Sequence, residues 1–249
     1  MSNLETGQNN NVYLSIVQGS LRQTVPEGTK DAVRREWEAG GDKGVKHELV
    51  FNAVTGKIVG VSFFEGESGG RKFQNLNIRL DENESGKSPV ISTGVGTRYA
   101  QDILKKLPNV DFDEEVRIRP YSFIPEGEDK AVTGVEITQR NAVSGNFENK
   151  ITGFFHKKNA KGKWDAINGF PIPEGKTDEY TSDDWDIFYK QARRFLVNYT
   201  KENICPKFER QPIPKSYEEE QARRGVPEKG LEEAADAVEE GIDPADIPF

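Results

Sequence analysis

Three stretches of the chain alternate apolar residues with rings and cations. In KFQNLNIRL (72–80), Leu76, Ile78 and Leu80 fall on one side of an extended backbone. Phe73, Asn75, Asn77 and Arg79 fall on the other, and Lys72 opens the stretch. EVRIRPYSF (115–123) divides in the same way, with Val116 and Ile118 against Arg117, Arg119, Tyr121 and Phe123. NKITGFFHKK (149–158) sets Ile151, Gly153 and Phe155 against Lys150, Thr152, Phe154, His156 and Lys158, with Lys157 adjoining. Cations beside flat rings suit single-stranded nucleic acid. The charges follow the phosphates, and the rings stack on unpaired bases, each stack worth about 1–3 kcal/mol. The side chains expected to hold it are Lys72, Phe73, Arg79, Arg117, Arg119, Tyr121, Phe154, Lys157, Lys158 and Trp164, the last in the Lys-rich loop KKNAKGKWDAI. Each strand taken alone is more simply explained by cross-strand packing, and Trp164 by a core anchor; the recurrence over three strands shifts the balance modestly toward the nucleic-acid reading.

Patterns that would support catalysis fail on their own spacing. Gly86-Lys87-Ser88 follows a strand as a phosphate-binding loop should, but Asp81 stands where that loop needs its first glycine and Pro89 blocks the helix. Gly94 and Gly96 lack the third glycine of a dinucleotide fingerprint, since Tyr99 occupies its place. Asp178, Glu179, Asp183, Asp184 and Asp186 would offer magnesium ligands to a nuclease, yet carboxylates at a helix start explain them more simply. The two histidines, His47 and His156, have no acid, base or ligand partner by spacing. The expectation is a protein without catalytic residues, metal or cofactor.

The elements that must carry these faces are mainly strands. VYLSIV, VKHELVF, KIVGVSFF, PVIST and AVTGVEITQR join the three stretches above, separated by Gly, Asn, Asp and Pro turns. Thr97–Leu107 reads as a helix with Thr97 as N-cap and Pro108 as its stop. Asp183–Asn203 reads as a second, capped by Ser182, and Lys30–Ala39 as a short third. Trp185, Phe188, Ala192, Phe195 and Tyr199 recur at three and four residues, a stripe laid on a core, whereas Lys190, Arg194 and Lys201 form a solvated face.

Charge divides the chain in two. Eleven of the 42 acidic and three of the 34 basic residues follow Tyr217, which leaves 31 of each before it. The net charge of −8 therefore belongs to the C-terminal segment, and the balanced body is able to gather its cations on one face. The lone Cys205 excludes an internal disulfide framework and suits a reducing cytoplasm. No segment approaches the apolar length of a membrane span. Residues 1–210 read as one folded domain and 211–249 as a disordered acidic tail.

That tail ends IDPADIPF after Glu232, Glu233, Asp236, Glu239 and Glu240, with no Lys or Arg beyond Lys229. An anionic tether closing on Ile247-Pro248-Phe249 has the parts of a docking peptide. The ring fills an apolar pocket, the terminal carboxylate meets a cation, and Pro248 limits the entropy lost. Asp243, Asp246, Ile247, Pro248 and Phe249 resemble the tip of bacterial single-stranded DNA-binding proteins, which recruits replication and repair enzymes through its final Pro-Phe. The body lacks that family's long Gly/Gln-rich linker. Its length, its strands with added helices and its acidic ending are similar to bacteriophage replication single-stranded DNA-binding proteins, built on the OB-fold.

The resemblance implies an elaborated OB-fold barrel with two or three added helices, in the bacterial host cytoplasm if phage-encoded. It implies a non-enzymatic protein that coats and protects single-stranded DNA in replication or recombination and recruits partner enzymes through its tip. A homo-oligomer is compatible with that role. The alternatives are a protein-only adaptor that recruits replication or repair enzymes, a single-strand annealing protein and, third, a nuclease.

Overall fold

The computed structural model describes residues 10–208 apart from 40, 41, 69 and 84. The chain is mainly β. Its first eight strands are β1 (Asn11–Val17), β2 (Ser20–Val25), β3 (Val33–Ala39), β4 (Asp42–Phe51), β5 (Val54–Gly56), β6 (Ile58–Ser68), β7 (Arg71–Leu80) and β8 (Ser88–Gly94). Helix α1 (Arg98–Lys106) leads to β9 (Val116–Phe123), β10 (Val132–Arg140), β11 (Phe147–Lys150), β12 (His156–Lys158), β13 (Trp164–Ala166) and α2 (Ser182–Asn203). None of the helices among the described residues is long and apolar enough to cross a membrane.

Seven strands make one sheet in the order β3-β4-β2-β1-β8-β7-β6, four make a second in the order β11-β10-β9-β5, and β12 pairs with β13 alone. Among the described residues only β1 and β8 run parallel, with Asn11 opposite Ser88 and Ser15 opposite Ser92. The two sheets meet in the run Val54–Ser68. Its first part, β5, pairs with β9, and its second, β6, pairs with β7. Strands β6, β7 and β8 follow one another as antiparallel neighbours, and β9 returns after α1 to lie beside the run that opened them. The chain thus comes back to the run it left, but in the other sheet, beside β5 and not β6. The expected barrel is not closed among the described residues, because the outer edge of β8 is occupied by β1.

Both sheets bury their apolar alternates in one core. Leu21, Leu76, Ile78, Leu80, Ile91, Val116, Ile118, Val135 and Ile137 are each fully enclosed, with Ile103 and Leu104 of α1 and Leu196 of α2 packed among them. The alternation read in 72–80 and 115–123 thus describes real faces. On α2, Phe188 and Ala192 are buried, Phe195 and Tyr199 pack against the core, and Trp185 stacks on Tyr189 with rings 5.6 Å apart.

Three local expectations are corrected. Lys30–Ala39 is no helix: Val33, Arg35 and Trp37 alternate with Arg34 and Glu36, and this pattern pairs along β4 as an edge strand. The cap of α2 is Thr181 rather than Ser182. Its hydroxyl accepts the Asp184 amide while Asp184 accepts the Thr181 amide at 2.9 Å, a capping box. Those bonds hold the Asp184 carboxyl below its ordinary pKa and account for part of the acidic cluster. Finally, 149–158 is not one strand. Pairing with β10 ends at Lys150, the Phe154 amide donates to the Lys105 carbonyl of α1 at 2.7 Å, and the extended backbone resumes at His156.

Candidate nucleic-acid interface

The register of the seven-stranded sheet brings the outward side of β7 into line with residues far away in the chain. Arg79 lies opposite Val90, Asn77 opposite Ser92 and Asn75 opposite Gly94. Across β8, Tyr13 and Ser15 continue the row on β1, and Arg22 follows on β2. Strand β4 adds Glu48 and Lys46, and β3 adds Arg35 and Trp37. On the other flank, β6 presents Ser62 and Phe64. Six inter-strand steps separate β3 from β6, so the face is roughly 30 Å wide.

Its rings and cations are held in place. The Trp37 ring covers Gly44, where a Cβ would stand 2.6 Å from the indole nitrogen, so only glycine admits the ring there. The Lys46 ammonium sits 5.6 Å from the same ring centroid. Phe64 and Phe73 pack with centroids 5.9 Å apart, and Phe73 lies over Gly66, which has no side chain to obstruct it.

Between these flanks, Glu48 is 1% exposed and joins three strands. It accepts from Arg22 Nη1 at 2.9 Å, from Arg35 Nε at 2.9 Å and from Arg35 Nη2 at 2.8 Å. Burial alone would raise its pKa; the bonds from Arg35 and Arg22 outweigh burial and hold the carboxyl below its ordinary value. Two guanidinium groups around one carboxylate leave the centre of the face cationic. At the middle of β7, Asn75 Oδ1 and Asn77 Oδ1 are buried without a hydrogen-bond donor among the described residues. Buried acceptors of this kind are uncommon.

The residues expected from sequence divide among separate surfaces. Arg79 joins the face just described. Phe73 points to it but is 9% exposed, so its edge closes the face and its ring is not free to stack on a base. Lys72 is exposed and alternates to the other side of β7. Arg117, Arg119 and Tyr121 share the outward side of β9, on the four-stranded sheet. There Arg119 is bound to Glu136 at 2.5 Å, and Lys150 adds a second cation to that carboxylate at 3.6 Å. Tyr121 is half-buried, and burial, with Asp102 and Glu136 nearby, raises its hydroxyl pKa.

Phe154 is half-buried against the core: its ring meets Phe155 at 5.1 Å and Tyr199 at 5.9 Å. Lys157, Lys158 and Trp164 share the β12–β13 hairpin, where the Lys158 ammonium lies 5.5 Å from the Trp164 ring and the indole is 42% exposed. The two large sheets share one core, so their outward sides face apart, and the three mixed faces do not form one groove. The docking residues Asp243, Asp246, Ile247, Pro248 and Phe249, and the whole segment 211–249, lie outside the described residues.

Sequence reading did not include Tyr13, Arg22, Arg35, Trp37, Lys46, Glu48 or Phe64 in the site. The signal for β3 was its alternation, masked by the Arg and Glu content that favoured a helix. Nothing local could align β3 with β7, since four strands intervene in the sheet. Among the described residues no group of three or more His, Cys, Asp and Glu side chains is placed to hold a metal ion. Comparison with protein-family models, with curated protein sequences and with solved structures returned no match.

Proposed function

We propose that this protein binds single-stranded DNA on the outward face of its seven-stranded sheet. The observation that carries the reading is the composition of that face. Tyr13, Trp37 and Phe64 are partly exposed rings, Arg22, Arg35, Lys46 and Arg79 are cations, and Asn75 and Asn77 hold unsatisfied acceptors. Rings stack on bases whatever their identity, cations follow the backbone, and amides meet base edges without requiring a duplex groove. The meander β6-β7-β8, followed by α1 and by the return of β9 beside β5, supports an opened OB-fold, in which the β7–β8 side is the oligonucleotide-binding side. The acidic ending with its Ile-Pro-Phe tip supports recruitment of replication or repair enzymes, as in the bacterial and phage proteins it resembles.

The test is binding of the full chain to labelled single- and double-stranded oligonucleotides of equal length at two salt concentrations. Preference for the single strand, weakening as salt rises, is the expected result, because displaced counterions accompany each phosphate contact. Absence of single-strand binding at low salt would overturn the reading and leave the protein-only adaptor.

A further inference from the structure

A second basic surface lies on the opposite side of β7. Lys190, Arg193, Arg194 and Lys201 of α2 line an open groove of about 390 Å³ with Gln74 of β7, and Val197 forms its apolar floor. The positions 190, 194 and 201 recur along one side of the helix over about 16 Å. Two acids moderate this charge: Glu65 binds Lys201 at 3.2 Å, and Asp186 faces Arg193. Arg193 Nε is buried with no acceptor among the described residues. Left unpaired, such a donor costs the fold stability.

We propose that this groove binds the acidic segment 232–246 of the same chain. Seven carboxylates fall in that segment with no Lys or Arg, which matches the excess of cations in the groove. The last described turn, Cys205–Phe208, follows α2 directly, and the 23 residues from 209 to 231 have a root-mean-square span of about 25–29 Å as a coil, enough to return along the helix. Tethering holds the segment near millimolar effective concentration. An acidic peptide suits the groove better than nucleic acid, because no aromatic ring lines it and bases would find nothing to stack on. Gln74 and Asn75 are consecutive and point to opposite sides of the sheet, so the segment docks without covering the face assigned to DNA. The inference does not depend on that assignment.

Zero-length carbodiimide cross-linking of the full chain, which joins lysine amines only to carboxylates in contact, tests it. At low salt, cross-linked peptides joining Lys190 to the 232–246 carboxylates are expected. Raised salt and Arg194→Glu should each reduce them severalfold, with the fold of Arg194→Glu checked by circular dichroism. The variant Glu239→Lys/Glu240→Lys leaves the folded body untouched and should produce the same loss. Addition of a single-stranded oligonucleotide should leave the cross-links in place. Tail cross-links spread evenly over Lys46, Lys72 and Lys190, or displaced from Lys190 by the oligonucleotide, would overturn the proposal.

Discussion

The Asp102 carboxylate of α1 accepts the backbone amide of Val135 on β10 at 2.7 Å. Lys106, one turn further along the helix, donates to the Val135 carbonyl at 2.5 Å and binds Asp102 at 2.8 Å. Strand β11 pairs with β10 only from Thr138 onward, so Val135 sits on an edge that no strand among the described residues covers. Two side chains thus satisfy both polar groups of one residue where a barrel would have used another strand.

Asp102→Ala should destabilise the fold by about 1–3 kcal/mol, because it strands a buried amide and releases Lys106. Asp102→Asn, which retains an acceptor oxygen, should lose less. Urea unfolding of the two variants beside the parent measures this, and equal midpoints for all three would show that α1 does not secure the β10 edge.

His156 should remain neutral at pH 7. Burial first, and then the Lys105 ammonium, push its pKa down to about 4. An unfolded chain binds this proton near pH 6.5, so acidification favours unfolding. The contribution is complete above about pH 6.5 and is lost as the pH falls toward about 4. Proton NMR of the His156 ring should show a midpoint well below 6.5, and His156→Asn should flatten the stability profile across this window. A midpoint near 6.5 would refute the burial argument.

The two outward sheet faces make opposite forecasts for DNA affinity. Trp37→Ala should weaken single-strand binding about tenfold by removing a stacking surface, with little change in salt dependence. Lys46→Ala should lower the salt slope by about one contact. Arg119→Ala should change neither, since that side chain lies on the four-stranded sheet, outside the face assigned to DNA. The reverse pattern in a binding titration would move the interface to the four-stranded sheet.

Deleting Phe249, or replacing Pro248 and Phe249 with Ala, should abolish capture of replication or repair enzymes while oligonucleotide affinity stays as in the parent. The anchor ring is lost, whereas the cationic face is untouched. Capture that survives the deletion would separate this ending from the tips it resembles.

Periodicity along single elements was sufficient for much of this molecule. The period of two in 72–80 and 115–123 identified which side chains enter the core, because in a half-buried strand apolar burial alone decides the facing. The stripe on α2 and Thr97 as the cap of α1 followed from equally local rules. Charge bookkeeping located the excess negative charge after Tyr217, since it needs only composition.

What tertiary structure decided is which faces meet. Phe73 and Phe154 carry the same aromatic signal as Trp37, but packing on Phe64 and Tyr199 takes them out of contention, while the edge position of β3 leaves Trp37 accessible. The parallel pairing of β1 with β8 determines that the barrel stays open and that Tyr13 and Arg22 join Arg79. Pairing partners of this kind are set by the combined burial of all strands around one core. No window of sequence contains that sum.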